Sequence, residues 1–218
     1  MLILAAFLLG WQRPPPEDLM KDLIAHYRKL KSLSAKVMHH GDFLSDVKDS
    51  TDTLLWMAPK RFDIVSNKES SPRLTSDGKR FTTYLPQLPP ISESLDQERS
   101  RVPTWETRGG LLLSILMRSE LSEQLLHPKK PVTAKFTYGK ELRWHDVSVS
   151  EISSILSALG TVETVSYFLT PDCKGLIGVE VQSGGQSVWT QYAEIVENPD
   201  LPKSLGEVPK GGKTANRL

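Results

Sequence analysis

The sequence predicts an α+β fold that is mainly antiparallel β: a strongly curved, incomplete β-barrel (a half-barrel) whose concave face is covered by helices. Three observations carry this. Short β-prone runs broken by turn residues fill the stretch from Ala35 to Leu85 and return after Pro131. Two stretches show helical apolar spacing instead, one before the first group of runs and one between the groups. An antiparallel sheet that curls without closing presents an apolar hollow that needs a cover, and those two helices are the available material.

The chain of 218 residues is long enough for one domain with a sizeable core, which is assigned to 17–198. Residues 1–16 read as an export signal and a proline-rich junction, and 199–218 as a tail. Met1–Trp11, "MLILAAFLLGW", is too short to cross a bilayer but has the length of a signal-peptide apolar region. Cys173 is the single cysteine, so no internal disulfide is expected, and it lies far from the position where a lipid-anchored protein would carry one. A soluble exported protein is the expectation. The 27 basic and 26 acidic residues leave a net charge of +1, which excludes the cationic excess that binds nucleic acid.

The elements follow in order. "EDLMKDLIAHYRKLKSLSA" has acidic residues first, basic residues last and Leu19, Leu23 and Leu30 near helical spacing, which predicts an amphipathic helix of about five turns. Strands are expected in "AKVMHHGDF", "STDTLLWM", "KRFDIVS" and the two arms of "RLTSDGKRFTTYL", where Asp77-Gly78 predicts a two-residue type I′ hairpin. Pro86–Glu106 reads as a long loop. Gly109–His127 reads as a helix stopped by Pro128 and apolar on more than one face. Then come "VTAKFTY" and "ELRWHDVSV" around Gly139-Lys140, a short helix capped by Ser150 and carrying Ile152, Ile155, Leu156 and Leu159, and the strands "TVETVSYFL", "GLIGVEVQ" and "QSVWTQYAEI".

Chemistry-bearing motifs are scarce. His39, His40 and Asp42 invite a metal reading, but adjacent strand residues point to opposite faces, so no metal site is expected. His145-Asp146 fails as part of a triad for the same reason, and Cys173 reads as an ordinary turn residue. Neither a phosphate-binding loop nor a dinucleotide fingerprint occurs, so no enzyme and no cofactor are expected. Alternation instead places Phe62, Ile64, Phe81, Val165, Tyr167, Ile177, Val179, Val181 and Trp189 on the concave face, with Leu112, Ile115 and Leu116 from the second helix. The same residues fit the lining of a ligand cavity and the filling of a closed core equally well.

"LLWMAPKRFDIV" (Leu54–Val65) followed by "LTSDGKRFTTYLP" (Leu74–Pro86) resembles the strand–Pro–x–x–Phe signature and Ser-Asp-Gly-Lys hairpin of the periplasmic outer-membrane lipoprotein carriers, the LolA/LolB superfamily. Both helices fall where that family has its first helix and a lid helix. The resemblance implies a soluble periplasmic carrier. It would bind the acyl chains of a lipoprotein or other lipid in a hydrophobic cavity and work as a monomer between a membrane-bound donor and acceptor. It equally allows a regulatory or sensor protein of the cell envelope that binds a protein partner and lipid. Carriers of the well-studied type have an arginine just before the proline that latches the lid; here that position is Ala58, and Arg61 is the substitute the resemblance offers.

Overall fold

The computed structural model describes residues 13–41, 50–95, 104–119, 122–123, 133–158 and 161–207. Helix α1 (Pro16–Tyr27) leads into five strands, β1 (Ser32–His40), β2 (Ser50–Met57), β3 (Arg61–Ser66), β4 (Arg73–Asp77) and β5 (Arg80–Tyr84), and a short β6 (Ile91–Ser94). Helix α2 (Thr104–Met117) follows, then β7 (Thr133–Trp144), β8 (Val147–Ala158), β9 (Thr161–Leu169), β10 (Leu176–Ser183) and β11 (Gln186–Glu197).

All these strands form one antiparallel sheet in the order β6-β5-β4-β3-β2-β1-β11-β10-β9-β8-β7. Two meanders are joined where β1 pairs with β11, and the edges β6 and β7 do not pair with each other, so the sheet stays open. It must also curve. Phe81 on β5 and Phe136 on β7 belong to one apolar core with both helices, yet nine strand spacings would separate them by about 43 Å in a flat sheet. Two helices about 10 Å across could not bridge that span.

Alternation decides which side chains reach this core. Leu33, Ala35 and Val37 of β1, Leu54 and Trp56 of β2, and Phe62 and Ile64 of β3 all point to the helix-bearing inner face and are almost wholly buried. Helix α1 starts at Pro16, where a missing amide costs nothing, with Glu17 and Asp18 in its first turn. It ends at Tyr27 rather than continuing to Ala35. The last residues of the expected five-turn helix are instead the start of β1, because their in–out alternation suits a strand between β2 and β11.

Other expectations are corrected in the same way. The hairpin joining β4 and β5 is displaced by one residue: Asp77 ends β4, Arg80 starts β5, and Gly78-Lys79 form the loop. Only Gly78 has positive φ there, which is the II′ pattern, and the Asp77 carboxylate accepts the amides of Lys79 and Arg80 at 2.8 Å. β6 interrupts the long loop expected after Pro86. Gly139-Lys140 is a bulge inside β7, and the true turn is His145-Asp146, both at positive φ. The short helix expected after Ser150 is the strand β8, paired on both sides with β7 and β9.

The predicted second helix is shifted toward the N-terminus. It begins at Thr104 and ends at Met117, where Arg118 takes φ 53°, and it is broken at Gly110 (φ 60°, ψ −160°). Of the expected tail, residues 199–207 are described and pack against the sheet, with Leu205 buried and the Ser32 hydroxyl donating to the Pro199 carbonyl at 2.6 Å. None of the helices among the described residues is long and apolar enough to cross a membrane.

Candidate functional site

The inner face is where the candidate residues converge. Phe62, Ile64, Phe81, Val165, Tyr167, Leu112, Ile115 and Leu116 are buried in one core with α1, and Val179 and Val181 pack against it partly buried. The apolar half of α2 is enclosed on every side: Leu111 to Met117 are each no more than 8% exposed. These residues share one apolar core with α1 and the sheet. A shallow hollow of about 370 Å³ lies elsewhere, against the hairpin joining β7 and β8, with Glu141, Arg143, Val149 and Pro171 in its wall.

Two candidates face the other way. A bulge separates Leu176 from Gly178 in the pairing of β10 with β9, so Leu176 takes the inner position and Ile177 turns outward. Trp189 pairs with Glu180, out of phase with the inward Tyr192, and stacks on His40 at 5.2 Å between ring centres. Ile177 and Trp189 join Trp144, Val149 and Phe168 in a second, smaller core on the outer face. A Cβ at Gly178 would stand 2.3 Å from the Trp144 ring, so the tip of the hairpin joining β7 and β8 closes onto bare backbone. Arg61 also leaves the inner face: it alternates with Phe62 and donates to the Lys203 carbonyl at 2.5 Å, so it binds the C-terminal segment and not α2.

The residues that do fasten α2 were not singled out from sequence. Arg108, just before the glycine break, is 2% exposed, and its Nε donates to Asp52 Oδ2 at 2.8 Å while Nη2 lies 2.7 Å from Oδ1. Its Nη1 donates to the Pro72 carbonyl. Asp52 itself is fully buried on the inner face of β2. His39, buried beside them, hydrogen-bonds the Arg108 carbonyl through Nε2 at 2.9 Å, which places the ring proton on Nε2 and leaves Nδ1 to accept from Thr190 Oγ1 at 3.3 Å. Burial pushes the His39 pKa below its ordinary value, opposed by the Asp52 charge, and the imidazole is neutral. A second fastening sits at the break, where the Tyr192 hydroxyl accepts the Leu112 amide at 3.2 Å. Asp52 had a readable signal: it is in phase with Leu54 and Trp56, and a charge in an apolar phase needs a partner.

His39 and His40 do lie on opposite faces, one in this cluster and one on Trp189. Asp42 lies outside the described residues. Among the described residues, no group of three or more histidine, cysteine, aspartate or glutamate side chains stands together in a way that would hold a metal ion.

An open antiparallel sheet of two meanders, with helices on one face, defines the class: this is the LolA-like fold that the sequence resembles. Among solved structures, the chain is similar to lipoprotein LppX from Mycobacterium tuberculosis, with a TM-score of 0.54 at 11% identity over 85% of this chain and 96% of that one. LprF from Mycobacterium bovis gives a TM-score of 0.51 at 10% identity, over 87% of this chain and 97% of that one. MucB gives 0.55 at 9% identity over 89% of this chain, which spans 63% of the MucB chain; MucB of Pseudomonas aeruginosa has also been solved in complex with MucA. At such identities the likeness shows the fold alone. No protein-family model matches the chain, and no curated protein matches it in sequence.

Proposed function

We propose that this chain is a soluble carrier exported to the periplasm, a monomer that takes the acyl chains of a lipoprotein or other lipid onto its concave inner face and passes them to an acceptor. The observation that carries the reading is the enclosed apolar half of α2. A surface helix needs an apolar stripe only about 100° wide, whereas Leu111 to Met117 are buried all round. Such a plug has the character of the hydrocarbon that would replace it. Phe62, Ile64, Phe81, Val165 and Tyr167 would then meet acyl chains once Leu112, Ile115 and Leu116 withdraw.

Each buried methylene is worth about 0.8 kcal/mol against water, so a sixteen-carbon chain gains up to about 12 kcal/mol. Against a membrane the gain nearly vanishes, since both surroundings are apolar. The carrier therefore has no energy source of its own: a donor loads it and a better acceptor empties it. The test is native mass spectrometry of the exported protein together with uptake of a fluorescent lipopeptide and its release to vesicles. Copurifying lipid or saturable uptake supports the carrier. A protein that is empty and ignores added lipopeptide overturns it.

A second reading is a cell-envelope regulator in which the sheet docks a protein partner. The likeness to MucB, solved with MucA, favours it. Copurification with one stoichiometric membrane protein and no exchange of lipid with vesicles would decide for it.

A further inference from the structure

We infer that Asp52 sets the headgroup preference of the inner face, selecting amphiphiles whose head carries a cationic amine or hydroxyl donor over those ending in a carboxylate. This rests on the carrier reading and adds a ligand class to it. Asp52 is fully buried, and the group that neutralises it, Arg108, belongs to α2 and not to the sheet. Asp52 lies within β2, paired on one side with Val37 of β1 and on the other with Ser66 of β3, so it stays in place when the helix withdraws. Arg108 leaves with the helix.

The vacated site then holds a carboxylate facing an apolar hollow. His39 offers it little. Its Nε2 lies 3.8 Å from Asp52 Oδ2 and loses the Arg108 carbonyl as a partner, so the neutral ring can turn one N–H toward the carboxylate. A single neutral donor does not replace a guanidinium, and an unpaired buried charge is strongly unfavourable. The ligand that takes the place of α2 must therefore supply the donors. Geometry fits one amphiphile: the head takes the position of Arg108, and the tail runs along β2 past Leu54 and Trp56, about 7 and 13 Å further along the strand. The protein as a whole carries a net charge of +1, so its overall field does not favour a cationic head.

The experiment is calorimetric titration of the full exported protein at about pH 8, where an unperturbed imidazole is already neutral, with three amphiphiles of one chain length: dodecylamine, monolaurin and laurate. Dodecylamine should bind at least about thirtyfold more tightly than laurate, with monolaurin between them. Asp52→Asn should compress that range to about threefold or less while monolaurin still binds. Laurate binding as tightly as dodecylamine to the unaltered protein overturns the headgroup assignment and leaves the carrier reading standing. Failure of all three to bind removes both. The series on the unaltered protein decides even if Asp52→Asn does not fold.

Discussion

The fastening of α2 by Arg108 and Asp52 makes the sharpest prediction, because both groups are almost wholly buried. Removing one partner strands the other charge inside the protein, at a cost of about 3–5 kcal/mol. Arg108→Met leaves Asp52 with His39 alone, and Asp52→Leu leaves Arg108 with the Pro72 carbonyl alone. Replacing both gives a core of similar volume with no stranded charge, a change that is often neutral or stabilising. The double variant should thus be more stable than either single one. In a domain of this size 1 kcal/mol is worth about 2–4 °C, so each single variant should melt about 6–20 °C lower. The assay is urea unfolding of all four proteins, read as a double-mutant cycle. Single variants that cost under about 1 kcal/mol, or a double variant whose loss equals the sum of the singles, would refute the reasoning.

Three further predictions come from single positions. Gly110→Ala places a Cβ 2.4 Å from the Tyr192 hydroxyl at a backbone angle that L-residues avoid; it should cost about 2 kcal/mol or more, and an unchanged urea midpoint would contradict it. Gly178→Ala should push the Trp144 ring from its seat on the outer face, costing about 1–3 kcal/mol, and should leave the inner-face ligand affinity unmoved. Burial pushes the Tyr167 phenol up to about 12 from its ordinary 10.0. The unfolded chain ionises first, so stability present below about pH 10 is lost as the pH rises toward about 12, by roughly 3 kcal/mol. Tyr167→Phe should flatten part of that alkaline decline, and Tyr192, which burial also raises, should sustain the rest.

Sequence alternation put Phe62, Ile64 and Tyr167 on one face, and all three lie in the main core, because nothing interrupts the pleat between them and their partners. It failed at Ile177 for a local reason: one extra residue in β10 reverses the phase, and no composition marks it. The helix expected after Ser150 failed for a different reason. Ile152, Ile155 and Leu156 have helical spacing, but strands on both sides of β8 supply ladder hydrogen bonds that no local preference outweighs. At the candidate site, the anomaly at Asp52 was visible in its phase, but its partner is 56 residues away across the glycine-broken helix. A sequence announces that such a charge needs neutralising without saying by what.

The connectivity explains how α2 comes to share a core with both meanders. The chain leaves the first meander at one edge, β6, and enters the second at the opposite edge, β7, while β1 and β11 close the middle. The linking segment that contains α2 therefore joins the two edges of an open sheet, and α2 lies against β1, β2, β3 and α1 in one apolar core shared by both meanders. Every ladder hydrogen bond in the sheet is made between strands, and α2 takes part in none of them. Under the carrier reading, withdrawing α2 would break, among the contacts of the described residues, those of Arg108 with Asp52, Pro72 and His39 and that of the Leu112 amide with Tyr192, and would expose apolar surface that acyl chains cover in kind. For the apolar surface alone, exchange of helix for hydrocarbon then comes close to even, and a ligand head that pairs with Asp52 would offset the loss of Arg108. That balance is the condition for a protein that must both accept a lipid and give it up.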